Sequence, residues 1–232
     1  AFYLLYNEFG ESTDALKEVF SQLNGQQFDD IILDLRYNPG GYVNTSQQLC
    51  SALAPSTAMG QPFLHMTYND KINKTETLNF ESSPLTGGAS LSYQNLYVLT
   101  SGNTASASEI VINCLKPYME GRLYQVGAAT FGKNVAQQLF TNAEAPNIEL
   151  WLTTTYLSNS QGYYDYFKEG LLPDFEIEEN YGAELGDFGS AEDQLMQPVL
   201  YRMENGSFPV VTNPDESEDA TTLSRSRTSK HV

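Results

Sequence analysis

The stretch FDDIILDLRYNPGGY, residues 28–42, decides the fold class. Ile31, Ile32, Leu33 and Leu35 form an apolar run without the alternation of a half-exposed strand. Such a strand belongs in the middle of a sheet covered on both faces. It stops at Asn38-Pro39-Gly40-Gly41, where the glycines tolerate positive φ and no side chain blocks close approach to the backbone amides. That turn can point N–H groups at an anion, or it can be an ordinary strand-to-helix connection.

Working outward, strands and helices alternate on both sides of this stretch. FYLLYNEF (2–9) reads as a strand. ESTDALKEVFSQLNG (11–25) places Leu16, Val19, Phe20 and Leu23 at helical spacing, with capping residues at 12–14 and Gly25 as the stop. VNTSQQLCSALAP (43–55) is a helix capped near Asn44 and ended before Pro55. PFLHMTYND and ETLNFES form a hairpin around DKINK. NLYVLTS (95–101) is a second buried strand, ASASEIVINCLKPYM (105–119) a helix and RLYQVG (122–127) a third strand; VAQQLFT and IELWLTTTYL are strand-like. AEDQLMQPVLYRM (191–203) is helical but interrupted by Pro198. The class is therefore α/β. Residues 1–204 are expected to form one core and 205–232 to have the composition of a disordered tail.

The charge narrows the partners. With 29 acidic and 12 basic residues the formal net charge is −17, which disfavours nucleic acid and anionic membrane surfaces as partners. No apolar run reaches the length of a membrane span. The chain opens on Ala1 and passes directly into a strand, so upstream sequence, with any targeting signal, is expected to be missing. Cys50 and Cys114 read as buried free thiols, and they have no metal-ligand spacing. The histidines are His65 and His231, so a Ser-His-Asp triad would rest on His65 alone. Neither a metal nor a cofactor is expected.

Two further segments carry chemistry. TASASEIV (104–111) lies between a strand and a helix, with Ser106 and Ser108 two residues apart. A hydroxyl there meets the positive end of the helix dipole, although serine at this position also serves simply as a cap. ATFGKNVAQQ (129–138) brings Lys133 beside apolar neighbours. A lysine acts as a base only when neutral, so local burial would have to disfavour its charge. Serine needs a base, histidine is scarce, and a Ser-Lys pair with backbone amides as oxyanion donors supplies one.

LDLRYNPGG (33–41), TASASEI (104–110) and TFGKNVAQ (130–137), in that order, resemble the C-terminal processing peptidases, or tail-specific proteases, over residues 2 to about 200. The resemblance implies a core similar to crotonase and Clp protease, of stacked ββα units with an added hairpin. It also implies a serine endopeptidase acting near protein C-termini, with Ser106 as nucleophile, Lys133 as base and Gln137 orienting the lysine. The oxyanion hole would be the amide of Ala107 with that of Gly40 or Gly41. A protein or peptide substrate, a PDZ domain upstream of Ala1, and an exported, periplasmic or cell-envelope location follow from the same likeness. Departures are Asn134 in place of the usual glycine after the lysine, and Ala128-Ala129 where Glu-Pro is common. They motivate an alternative, an inactive peptide-binding scaffold; an acyl-CoA enzyme of crotonase type is a third reading. Pro173 and Asp174 resemble the segment that closes the core.

Overall fold

The computed structural model describes residues 1–23, 26–88 and 91–210. Five parallel strands, β1 (Phe2–Leu5), β2 (Asp30–Asp34), β5 (Asn95–Thr100), β6 (Leu123–Gly127) and β9 (Phe175–Glu176), lie in the order β1-β2-β5-β6-β9. As its apolar run requires, β2 is buried along its length and flanked on both edges. Period-2 alternation divides its side chains between two cores. Ile31, Leu33 and Leu35 face helices α1 (Asp14–Ser21), α2 (Val43–Leu53) and α3 (Ala107–Leu115), while Ile32 joins Tyr97, Leu99 and Val126 against α4 (Met196–Asn205).

The remaining strands, β3 (Pro62–Tyr68), β4 (Thr75–Asn79), β7 (Val135–Asn142) and β8 (Ala145–Ser158), make an antiparallel sheet in the order β4-β3-β8-β7. The expected hairpin is β3–β4, extended by β7–β8 into this second sheet. The mixed α/β class read from the sequence is thus the observed one.

Three local readings shift. The first strand ends at Leu5, and Phe9 instead makes an isolated parallel bridge to Gly41. Pro198 does not interrupt a helix: α4 starts at Met196, so the proline occupies the first turn, where its missing N–H would have had no intrahelical acceptor. α4 runs through Asn205, and Phe208 stacks on Phe175 with ring centroids 5.1 Å apart. Packing therefore passes the boundary drawn at 204; positions 211–232, with His231, lie outside the described residues. Cys50 and Cys114 are free and buried, and burial pushes both thiols up from their ordinary range.

Candidate active site

Because β2, β5 and β6 are adjacent and parallel, the loops leaving their carboxyl ends converge on one side of the sheet, where open α/β sheets bind ligands. These loops are the Asn38–Gly41 turn, the Ser101–Ser106 loop and the Ala128–Lys133 loop. All three stretches singled out in the sequence meet there.

The two serines have separate fates. Ser108 is fully buried and its hydroxyl donates to the Asn38 carbonyl at 3.0 Å, fastening α3 to the glycine turn. Ser106 is half-buried and lines a cavity of about 340 Å³ together with Pro39, Gly41, Tyr42, Lys133, Gln137 and Trp151. It stands at the N-cap of α3, but with φ 57° and ψ −114°. An ordinary N-cap lies in the β region. A non-glycine residue at positive φ and negative ψ is strained and has to be held by its surroundings. Capping alone does not require this backbone; projecting a hydroxyl from a sharp strand-to-helix turn does.

The glycine turn is pressed against that serine. A Cβ on Gly40, whose φ is +103°, would fall 2.7 Å from both the Ala105 carbonyl oxygen and Ser106 Cβ, and 2.8 Å from the Ala107 nitrogen. The Gly40 amide donates to Asn38 Oδ1 at 2.9 Å, whereas among the described residues the Gly41 and Ala107 amides have no acceptor. Gly41, not Gly40, lines the cavity.

Lys133 Nζ donates to Gln137 Oε1 at 3.4 Å. No hydrogen bond joins it to Ser106 Oγ in this arrangement, although both side chains line the same cavity. In β8, Thr154 bulges opposite the Ala136–Gln137 step, a device that re-aims side chains beside active sites. Asn134 has a negative φ, so the position does not demand a glycine, and its buried side chain donates to the Tyr164 carbonyl at 2.7 Å; both residues line the larger cavity next to Lys133. Ala128 pairs with Thr100 at the end of β6, and Asp174 accepts from the Gln125 amide, the structural role expected of it. His65 Nδ1 is paired with Thr77 and lines neither this cavity nor its neighbour, so among the described residues no histidine base is at hand there.

Two residues were not singled out as participants. Glu109 is fully buried and accepts four hydrogen bonds: Ser106 N (2.7 Å) and Lys133 N (2.8 Å) on Oε2, Thr130 Oγ1 (2.6 Å) and Gly132 N (2.7 Å) on Oε1. Burial, and after it the charge of Glu109, pushes the Tyr166 phenol upward. The sequence signal was present: Ser106-x-x-Glu109 is a capping box. Arg36 is 1% exposed and bonds Asp34, Glu179 and both oxygens of Asp193, two residues ahead of the Asn38–Gly41 turn in the chain. Its partners are 143 and 157 residues away in sequence, apart from Asp34, so no local pattern announces them.

Beyond Lys133 lies a second cavity of about 830 Å³, walled by Phe131, Tyr156, Tyr164 and Phe167, with Asp165 as its one carboxylate; it shares Lys133 and Val135 with the first.

Residues 2–177 match the family model described as peptidase family S41. The chain belongs to peptidase family S41. This S41 chain is 31% identical over 207 residues to a carboxyl-terminal-processing protease of Synechocystis sp., covering 88% of this chain and 44% of that one. A Bacteroides fragilis structure assigned to the S41 proteases superposes with a TM-score of 0.76 at 32% identity, over 88% of this chain and 54% of that one. The photosystem II D1 C-terminal processing protease shares the fold, with a TM-score of 0.57 at 24% identity over 76% of this chain and 42% of that one. This S41 chain therefore spans about half the length of the relatives it matches. Membership in a peptidase family leaves the acyl-CoA reading without support.

Proposed function

We propose that this chain carries the catalytic core of a serine endopeptidase that cleaves peptide bonds near protein C-termini. Ser106 Oγ attacks the scissile carbonyl carbon and passes its proton to Lys133 Nζ as the new C–O bond forms. The amides of Ala107 and Gly41 receive the developing oxyanion. Collapse breaks the C–N bond, and the Lys133 ammonium gives its proton to the departing amine. Water then repeats the sequence to release the acyl group and regenerate Ser106. Gln137 orients the lysine between its turns as base and acid. The observation that supports this reading best is the strained Ser106 sharing one cavity with Lys133 and Gly41.

On this reading the acyl side of the substrate lies in the smaller cavity and the leaving side extends along the aromatic one, because Lys133, which protonates the leaving amine, stands between them. The likeness to exported processing proteases also leads us to propose an extracytoplasmic setting and a peptide-binding PDZ domain elsewhere in the full-length protein. The test is acylation. A fluorophosphonate applied to the full-length protein should add one adduct, mapped by peptide mass spectrometry to Ser106 and absent from Ser106→Ala and Lys133→Ala.

A second reading, an inactive peptide-binding scaffold, is favoured by the lack of a hydrogen bond between Lys133 Nζ and Ser106 Oγ, the amine being bonded to Gln137 instead. Peptide binding with an unmodified Ser106 after prolonged exposure to the reagent would select it.

A further inference from the structure

The Ser106–Lys133 reading leaves one question open, namely what holds two residues from different loops in register. They come from the ends of different strands, β5 and β6. Backbone hydrogen bonds between the loops are sparse; Phe131 N donates to the Thr104 carbonyl at 2.9 Å. The Glu109 carboxylate supplies the rest. One oxygen, Oε2, accepts the amide of the nucleophile and the amide of the base together.

We propose that Glu109 is the positioning residue of the catalytic pair: one carboxylate oxygen fixes the strained turn at Ser106 and the loop bearing Lys133 at a set separation. This rests on the Ser106–Lys133 reading and adds to it. Three features point to positioning rather than general stabilisation. The bonds are short and charge-assisted, the stronger class of hydrogen bond. They go to the main chain of the two reacting residues rather than to remote structure. And they hold Ser106 in a conformation that an unassisted backbone does not favour.

The hydrogen-bond chemistry gives an ordered set of variants. Four donors converge on a group that, as a carboxylate, only accepts. In Glu109→Gln, the amide places its single oxygen where Oε2 was, because that choice keeps both the Ser106 and Lys133 N–H bonds. Its NH₂ then faces Gly132 N–H and the Thr130 hydroxyl. The hydroxyl, which already accepts from Leu171 N, can turn to accept from the NH₂ as well, so that the Gly132 N–H and the Thr130 O–H lose their acceptor while both Oε2 bonds are kept. Glu109→Asp keeps the charge but withdraws the carboxylate by roughly 1.5 Å, one carbon–carbon bond, and loses the bridge. Glu109→Ala removes it altogether.

The experiment uses the full-length protein with an internally quenched peptide, and kcat and KM are measured separately beside the rate of fluorophosphonate acylation. A mispositioned pair should lower kcat and the acylation rate about 10²-fold in Glu109→Ala and Glu109→Asp, since displacement near 1 Å costs that much. KM should stay within about threefold, because the cavity walls are untouched. Glu109→Gln should retain activity within about tenfold of the wild type, above Glu109→Asp although it lacks the charge. Leu16→Ala, on helix α1, which lines neither cavity, reports what lost stability alone does.

The proposal is overturned if the glutamate variants, assayed folded, acylate as fast as Leu16→Ala, or if Glu109→Asp outperforms Glu109→Gln. Should Glu109→Ala fail to fold, the glutamine–aspartate order still decides. Ser106→Ala retaining turnover would instead remove the Ser-Lys reading itself, and that outcome is independent of the order of the Glu109 variants.

Discussion

Replacing Gly40 by alanine tests whether close packing of the glycine turn on the nucleophile sets the rate. The added Cβ would lie 2.7 Å from the Ala105 oxygen and from Ser106 Cβ, against about 3.4 Å for the near edge of ordinary contact, so the two segments must part by about 0.7 Å. The obstructing atoms are backbone or bonded directly to it, so no rotamer change relieves them. Positive φ at a non-glycine residue costs a further ~1–3 kcal/mol. Gly60→Ala separates these terms, since Gly60 also has positive φ, +76°, but a Cβ there meets nothing within 4 Å. Urea unfolding should show a loss of ~1–3 kcal/mol for Gly60→Ala and more for Gly40→Ala. Acylation should be unchanged in the first and reduced by about 10–10²-fold in the second, in line with the sensitivity of a reacting pair to sub-ångström displacement. A folded Gly40→Ala protein that acylates within threefold of Gly60→Ala would refute the claim that this contact positions Ser106.

Arg36→Met leaves Asp34 and Asp193 buried without their cation, and breaking a buried ion pair from one side costs about 3–5 kcal/mol, to be read by urea unfolding. Trp151 is the single tryptophan, is 55% exposed and lines the Ser106 cavity, so its fluorescence should shift to the blue when a peptide fills the cavity and should not respond in the absence of peptide. Burial, then the charge of Asp30, pushes the Tyr97 phenol up from 10.0 to about 12. A group raised in the folded state stabilises fully below its unfolded value, so stability should begin to fall above pH 10 and go on falling through pH 12, with absorbance at alkaline pH showing a late-ionising phenol absent in Tyr97→Phe.

How far the site could be read in advance depended on the range of each interaction. The run Ile31–Leu35 identified a covered strand because burial on both faces leaves its mark within five residues. The three loops were found because turn glycines, a helix start and a lysine after glycine are local patterns. Which of the Gly40 and Gly41 amides is already bonded was beyond the sequence, since it turns on the Asn38 side chain folding back to take the Gly40 amide. Glu109 lay inside a quoted motif but was given no role there; its link to the Lys133 loop is tertiary. Pro198 misled because its position within the helix, not its presence, decides whether it breaks it.

Arg36 bears on where this protein can be cut. The family-model match ends at Ile177, yet two of the three carboxylates that hold the buried arginine, Glu179 and Asp193, come from beyond that point. The stretch matched by the family model is therefore shorter than the stretch that supplies the partners of this arginine, whereas the likeness to the Synechocystis protease, over 88% of the chain, reaches past it. A chimera joined at residue 177 would carry the serine, the lysine and the turn, but would leave a buried guanidinium stripped of most of its counter-charge. Boundaries for grafting or expressing this core belong after α4, where the electrostatic account closes.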